Sequence, residues 1–196
     1  MNEFLIPTDW FYKKYFGVLP PQRYWSFKVA LNIFLQRGGE VIIETGSVGG
    51  KNDWAAGNST YLFGDFCQHY NKKLITIDNR EIVWKIAQEC TQEFKENIEY
   101  ILGDSVEFLE KYKERIDLLY LDSLDYPLDG NDPKMAQEHN LKEIKVAYDR
   151  FTPQSVVLLD DYDFPDGGKP KLTNEFLEKE GWICLLGNQQ ALWIKQ

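Results

Sequence analysis

The sequence predicts an α/β protein built on a doubly wound sheet, mostly parallel, with an antiparallel C-terminal hairpin strand. Three observations carry this. Five short runs of near-continuous Val, Ile and Leu recur along the 196 residues, as parallel strands covered on both faces require. Stretches of helical period separate them, and regular strand–helix alternation marks a doubly wound sheet. The C-terminal end breaks the alternation: residues 182–186 and 191–194 are apolar and flank Gly187-Asn188-Gln189-Gln190, a hairpin signal.

Each element has its own reason. Tyr24, Phe27, Leu31 and Phe34 recur at three- and four-residue steps and predict a helix before the strand Val41-Ile42-Ile43. Leu62, Phe63, Phe66, Cys67 and Tyr70 mark a second helix, with Asn58 or Ser59 as its N-cap. Residues 74–77 form the second strand. Ile82, Ile86, Cys90 and Phe94 mark a third helix, and residues 100–102 a short third strand. A short helix through Val106, Leu109 and Tyr112 leads to the strand at 118–121. Asp132-Pro133 opens a fifth helix, an acidic cap followed by proline, which runs through Leu141, Ile144, Tyr148 and Phe151. Residues 156–159 are the fifth strand, and a sixth helix near 172–177 follows the Gly167-Gly168 turn.

The length suits a single domain, assigned to residues 22–196. Residues 1–21 lack clean periodicity and are set apart by Pro20-Pro21. The chain has 31 acidic and 22 basic residues, a net charge of −9, which argues against nucleic acid as a partner. No apolar run approaches the ~20 residues that span a bilayer, and Glu3 and Asp9 do not suit a secretion signal. Cys67, Cys90 and Cys184, without C-x-x-C spacing, read as reduced, buried thiols of a cytoplasmic protein.

Ligands of an open α/β sheet bind at the carboxyl ends of its strands, and here each of the five runs is followed by a carboxylate: Glu44, Asp78, Asp104, Asp122 and Asp160-Asp161. The first loop, Glu44-Thr45-Gly46-Ser47-Val48-Gly49-Gly50, is not a P-loop, because Gly46 and Gly50 enclose three residues and Lys51 is followed by Asn52. It also lacks the second glycine of a dinucleotide fingerprint, since Val48 stands there.

The remaining pattern, E-x-G-x-x-x-G through Glu44, Gly46 and Gly50, resembles motif I of the class I S-adenosylmethionine (SAM) methyltransferases, and the resemblance runs from about Leu35 to the C-terminus. It implies a Rossmann-like fold. It also implies a cofactor site in which Glu44 faces the methionine ammonium, Gly46 and Ser47 let the backbone approach, Asp78 takes the ribose hydroxyls, and Asp104 with Ser105 borders the adenine. The segment from Lys51 to Thr60 departs from the family, whose helix follows the glycines at once. This shifts the expected methionine carboxylate contact to the amides near Ser59 and Thr60.

Asp122, Asp160 and Asp161 stand at the ends of strands expected to be neighbours, about 4.8 Å apart. Three carboxylates that converge need a cation or a shared proton, and a hard divalent ion, Mg²⁺ by preference, is one solution. The arrangement is similar to that of metal-dependent small-molecule O-methyltransferases of the macrolide and aminocoumarin sugar type. That implies Asp122, Asp160 and Asp161 as metal ligands and an acceptor hydroxyl held beside the sulfonium methyl. The alternative is that the Asp pair caps a turn and Asp122 closes its strand.

His139 is a candidate general base beside Asp122, with Asp125 its rival; the alternative for His139 is a polar residue in the first turns of an exposed helix. His69 reads as a helix C-terminal residue. Lys169, in Asp166-Gly167-Gly168-Lys169, reads as a solvated lysine in a turn, with a contact to an acidic substrate as the alternative. Trp54 and Tyr162 are candidate pocket walls or core residues.

Of 29 aromatics (6 Trp, 11 Tyr, 12 Phe), nine lie in the first 27 residues. Trp10, Phe11, Tyr12, Tyr15 and Phe16 therefore form a substrate lid, a homodimer contact, or ordinary packing against the outer helices. The expected function is SAM-dependent methyl transfer to a small-molecule acceptor. No Asn/Asp-Pro-Pro-Tyr/Phe motif follows the fourth strand, where Leu121-Asp122-Ser123-Leu124 stands, and this favours oxygen as the accepting atom. The alternatives are a nicotinamide-dependent oxidoreductase and a non-catalytic SAM-binding module.

Overall fold

A computed structural model of the chain describes residues 8–50, 54, 58–127 and 132–195. In chain order these form α1 (Thr8–Tyr15), α2 (Pro21–Gln36), β1 (Val41–Thr45), α3 (Ser59–Tyr70), β2 (Lys73–Asp78), α4 (Glu81–Cys90), β3 (Ile98–Leu102), α5 (Ser105–Lys111), β4 (Ile116–Leu121), α6 (Lys134–Ala147), β5 (Phe151–Leu159), α7 (Lys171–Lys179), β6 (Trp182–Gly187) and β7 (Ala191–Lys195). The seven strands make one sheet in the order β3-β2-β1-β4-β5-β7-β6. β1 to β5 are parallel, and β7 runs antiparallel to both β5 and β6. The order reverses between β1 and β4, which is where such a sheet opens a crevice at its carboxyl edge.

The continuous apolar runs follow from two buried faces. Alternate residues point to opposite sides of a strand. Ile42, Leu118, Tyr120, Val156 and Leu158 join the core under α2 and α3. Their neighbours Ile43, Leu119, Leu121, Val157 and Leu159 join a second core with Ile144 of α6 and Leu177 of α7. The register Ile42↔Leu118 and Leu118↔Val156 keeps each face continuous across the sheet centre.

Four sequence expectations change. The third helix stops at Cys90: the Thr91 hydroxyl donates to the Ala87 carbonyl (2.6 Å), and the chain continues as a 3₁₀ segment over Gln92–Asn97. The fifth helix likewise ends at Ala147, passing through a 3₁₀ turn into β5, which begins at Phe151. Cys67 and Cys90 are buried, but Cys184 is exposed because β6 is the outer strand of the sheet. The N-terminal segment contains α1, whose Phe11 and Tyr15, one turn apart, are fully buried in the same core as Phe34, Phe63 and Phe66. The Tyr15 hydroxyl donates to Asp65 of α3, and Trp10 stacks on His69 (ring centroids 4.4 Å apart). Trp10, Phe11 and Tyr15 thus make the ordinary packing contacts that were the alternative to a lid or dimer contact. Tyr12 and Phe16 stack on each other and remain exposed. Among the described residues no helix is long and apolar enough to cross a membrane.

Candidate active site

The carboxyl ends of β1 to β4 border a cavity of about 230 Å³, lined by Gly46, Asp78, Arg80, Asp104, Ser105, Ser123, Asp125 and His139, among others. Gly46 makes its floor. Its φ is +84°, and a Cβ there would lie 2.3 Å from the Asp122 carbonyl oxygen, so no other residue fits between β1 and β4. Gly49, by contrast, faces open space. The loop is fastened on both sides: the Ser47 amide donates to Asp78 (3.1 Å) and the Val48 amide to the Thr60 hydroxyl (2.8 Å). Between Gly50 and Asn58 only Trp54 belongs to the described residues.

Gly46, Asp78, Asp104, Ser105 and His139 are thus brought to one cavity, while Glu44, Ser47, Ser59 and Thr60 do not line it. Glu44 is 0% exposed. It accepts from the Thr76 hydroxyl (2.7 Å), which in turn lies 2.8 Å from the Ser47 hydroxyl. Burial pushes its carboxyl up to about 7, although surrounding hydroxyls pull the other way. Glu44 is thereby linked to the loop from beneath through Thr76 and Ser47. Ser59 and Thr60 are buried at the head of α3, behind Asn58, which is the N-cap but caps through no side-chain hydrogen bond.

Asp78 is engaged four times. Besides Ser47 it accepts from the Arg80 amide (2.8 Å) and from Arg80 Nε and Nη2 (3.0 Å each). Arg80 is half-exposed and lines the cavity, while the Asp78 carboxylate it pairs with is buried. Asp104 caps α5 by accepting from the Glu107 amide (2.9 Å). His139 Nε2 lies 3.3 Å from the Ser105 hydroxyl and 3.5 Å from the buried Glu143. The Glu143 carboxylate raises the imidazole's pKa, partly offset by its burial. Its partners are thus on the Ser105 flank, not in the Asp122 cluster. Asp125 is solvent-exposed, with Arg80 Nη1 at 4.0 Å.

Asp122, Asp160 and Asp161 do converge, but around cations from the chain itself. Lys169 Nζ lies 2.6 Å from Asp122 Oδ1 and 3.1 Å from Asp161 Oδ2, and the residue is 1% exposed. Arg23 Nη1 bonds Asp160 at 2.8 Å, and the fully buried Tyr120 hydroxyl donates to Asp160 at 2.7 Å. Gln190 Nε2 donates to the same hydroxyl at 3.2 Å. Burial and the neighbouring Asp160 push the Asp122 carboxyl well above the usual range despite Lys169. Burial acts the same way on Asp160, but Arg23 and Lys169 outweigh it and hold that carboxyl low.

These residues do not fit a divalent ion. Two of the three expected ligands already share an ammonium, and the third is bound by a guanidinium and a phenol. Among the described residues no group of three or more His, Cys, Asp or Glu is arranged to hold a metal. Lys169 is not solvated, contrary to the reading of its turn. The left-handed Gly168 (φ +65°) packs directly on the Asp161 carbonyl and turns the side chain inward. Trp54 and Tyr162 belong to the two hydrophobic cores and not to the cavity wall. Sequence reasoning missed Arg23, Tyr120 and Gln190. Tyr120 offers the one usable signal, a polar tip inside an otherwise aliphatic run, which demands a buried partner.

No curated protein matches the sequence. Among solved structures the fold is similar to CalS11, the TDP-rhamnose 3'-O-methyltransferase of calicheamicin biosynthesis, with TM-score 0.63 and 16% identity, covering 97% of this chain and 87% of that one. It is also similar to the S-adenosylhomocysteine-bound methyltransferase PaMTH1 of Podospora anserina (TM-score 0.56, 13% identity, 95% and 84% covered). A third is the SAM-dependent methyltransferase of Thiobacillus denitrificans in complex with S-adenosylhomocysteine (TM-score 0.51, 13% identity, 90% and 70% covered). At these identities the likenesses establish the fold. The sequence pattern of the methyltransferase domain matches residues 54–162, more than half of the chain, from just before α3 to just past Asp160-Asp161. On that match, which spans Asp78, Asp104 and Asp122, the chain belongs to the methyltransferase-domain family.

Proposed function

We propose that this protein is a cytoplasmic enzyme that transfers the methyl group of SAM to a hydroxyl oxygen of a small-molecule acceptor. The observation that carries this is the cavity at the switch point, with a carboxylate on one side, the capped head of α5 on the other, and a floor that only Gly46 allows. Asp78 accepts the ribose hydroxyls once the Arg80 guanidinium swings out, since the Ser47 and Arg80 amides hold the carboxylate in place. Ser105 and the imidazole of His139 border the adenine. Glu44 acts beneath the loop, keeping Ser47 and Val48 where a ligand meets their backbone.

The acceptor side is assigned to Asp122, whose side chain is 26% exposed and whose backbone abuts Gly46. The acceptor oxygen attacks the methyl carbon, the carbon–sulfur bond breaks, and the hydroxyl proton passes to Asp122, leaving S-adenosylhomocysteine. Positioning supplies most of the rate. His139 is assigned no proton transfer, because its partners Ser105 and Glu143 lie away from the Asp122 cluster. The net charge of −9 and the absence of an amino-methylating motif after β4 support a small hydroxylated acceptor.

Thermal unfolding in the presence of SAM, S-adenosylhomocysteine, NAD and NADP tests the reading. A ligand at 100 times its Kd stabilises by about 2.7 kcal/mol. SAM and S-adenosylhomocysteine are expected to raise the midpoint. A rise with nicotinamide cofactors alone would replace this reading with the oxidoreductase one.

A further inference from the structure

Three carboxylates that converge cannot all stay ionised without positive charge among them. At the ends of β4 and β5 the chain supplies that charge from two separate elements: Arg23 from α2, and Lys169 from the loop before α7. An ammonium is buried only where it is paired, and Lys169 is paired with two carboxylates at once.

The backbone is bent to deliver it. Asp166, Gly167 and Gly168 all have positive φ (53°, 83° and 65°). A Cβ on Gly168 would lie 1.9 Å from the Asp161 carbonyl oxygen, so that position is closed to any other residue. The Lys169 amide donates to that same carbonyl (3.3 Å), and the Gln137 side-chain amide donates to the Gly168 carbonyl (3.0 Å). A lysine bound for solvent needs none of these arrangements.

We propose that Lys169 is a built-in cation standing where a divalent ion would bridge Asp122 and Asp161, so that methyl transfer by this chain needs no metal. This rests on the methyltransferase reading above. Lys169 is a positioning residue: it does not line the cavity, and it acts by fixing Asp122 on the acceptor side.

The test compares chelator-treated wild type, Lys169→Ala and Lys169→Arg. Mn²⁺ binding is followed by electron paramagnetic resonance, and thermal midpoints are taken with and without about 1 mM MnCl₂, with S-adenosylhomocysteine binding measured on the same samples. Wild type and Lys169→Arg are expected to bind no Mn²⁺ and to keep their midpoints. Lys169→Ala is expected to unfold at lower temperature without metal and to regain its midpoint with Mn²⁺, binding it at least about 100-fold more tightly than wild type. Wild-type Mn²⁺ binding that disappears in Asp161→Asn overturns the proposal, and so does a folded Lys169→Ala that gains no affinity. Should Lys169→Ala fail to fold in either condition, wild type alone decides: silence towards Mn²⁺ supports the proposal and binding overturns it. Failure of wild type to bind S-adenosylhomocysteine removes the methyltransferase reading separately, whatever Mn²⁺ does.

Discussion

Glu44 is a fully buried carboxylate beneath the glycine loop, off the cavity lining. Its carboxyl is sealed under the loop, hydrogen-bonded by Thr76 and pushed up from 4.5 to about 7 by burial. Across that window the folded chain keeps a proton that the unfolded chain has released. Stability therefore falls as pH rises through it, by roughly 3 kcal/mol. Glu44→Gln keeps the shape and an acceptor for Thr76 but cannot ionise. The thermal midpoint of the variant, relative to wild type, should rise between about pH 4.5 and pH 7. A difference that stays constant across that range would mean that Glu44 does not titrate there. Arg80 is a second case. Its half-exposed pair with Asp78 is worth about 0–1 kcal/mol, yet it occupies the oxygens assigned to the ribose. Arg80→Ala is expected to bind S-adenosylhomocysteine as tightly as wild type or up to about fivefold more tightly by calorimetry. A tenfold loss would mean that the guanidinium itself holds the cofactor.

Among the elements, α1 departs furthest from its sequence signature. Eight residues with Phe11 and Tyr15 one turn apart give too short a stripe to read as amphipathic, and the charged Lys13 and Lys14 lie between them. The stripe nonetheless completes the core over α3. Phe11→Ala should cost about 3–5 kcal/mol, as for other large buried aromatics. Phe16→Ala, at a site 52% exposed, should stay within about 0.5 kcal/mol. Denaturant unfolding checks both, and similar values for the two would contradict the assignment of α1 to the core. The strands were legible for the opposite reason. With Ile42/Ile43, Leu118/Leu119 and Val156/Val157 buried on alternate faces, every position of the run is apolar.

For the whole molecule, the sequence places the carboxylates at one edge of the sheet, because each lies within two residues of its strand's carboxyl end and parallel strands end on the same side. What it cannot convey is which carboxylates are free. Asp160 is taken by Arg23, some 137 positions away in the chain, and Asp122 and Asp161 by Lys169. A Gly-Gly turn followed by lysine has the same local grammar whether the side chain points out or in, so an inward lysine replaced the expected ion without altering the motif. The central claim, that the cavity beside Asp78 and Gly46 is a SAM site, is tested most directly by calorimetric titration of S-adenosylhomocysteine into wild type and Asp78→Asn. Losing a charge-assisted acceptor for the ribose hydroxyls should weaken binding by about 10-fold or more, at about 1.5–3 kcal/mol per such bond, in a variant that unfolds like wild type. Equal affinity in the two proteins, or binding of NADP in place of S-adenosylhomocysteine, would contradict it.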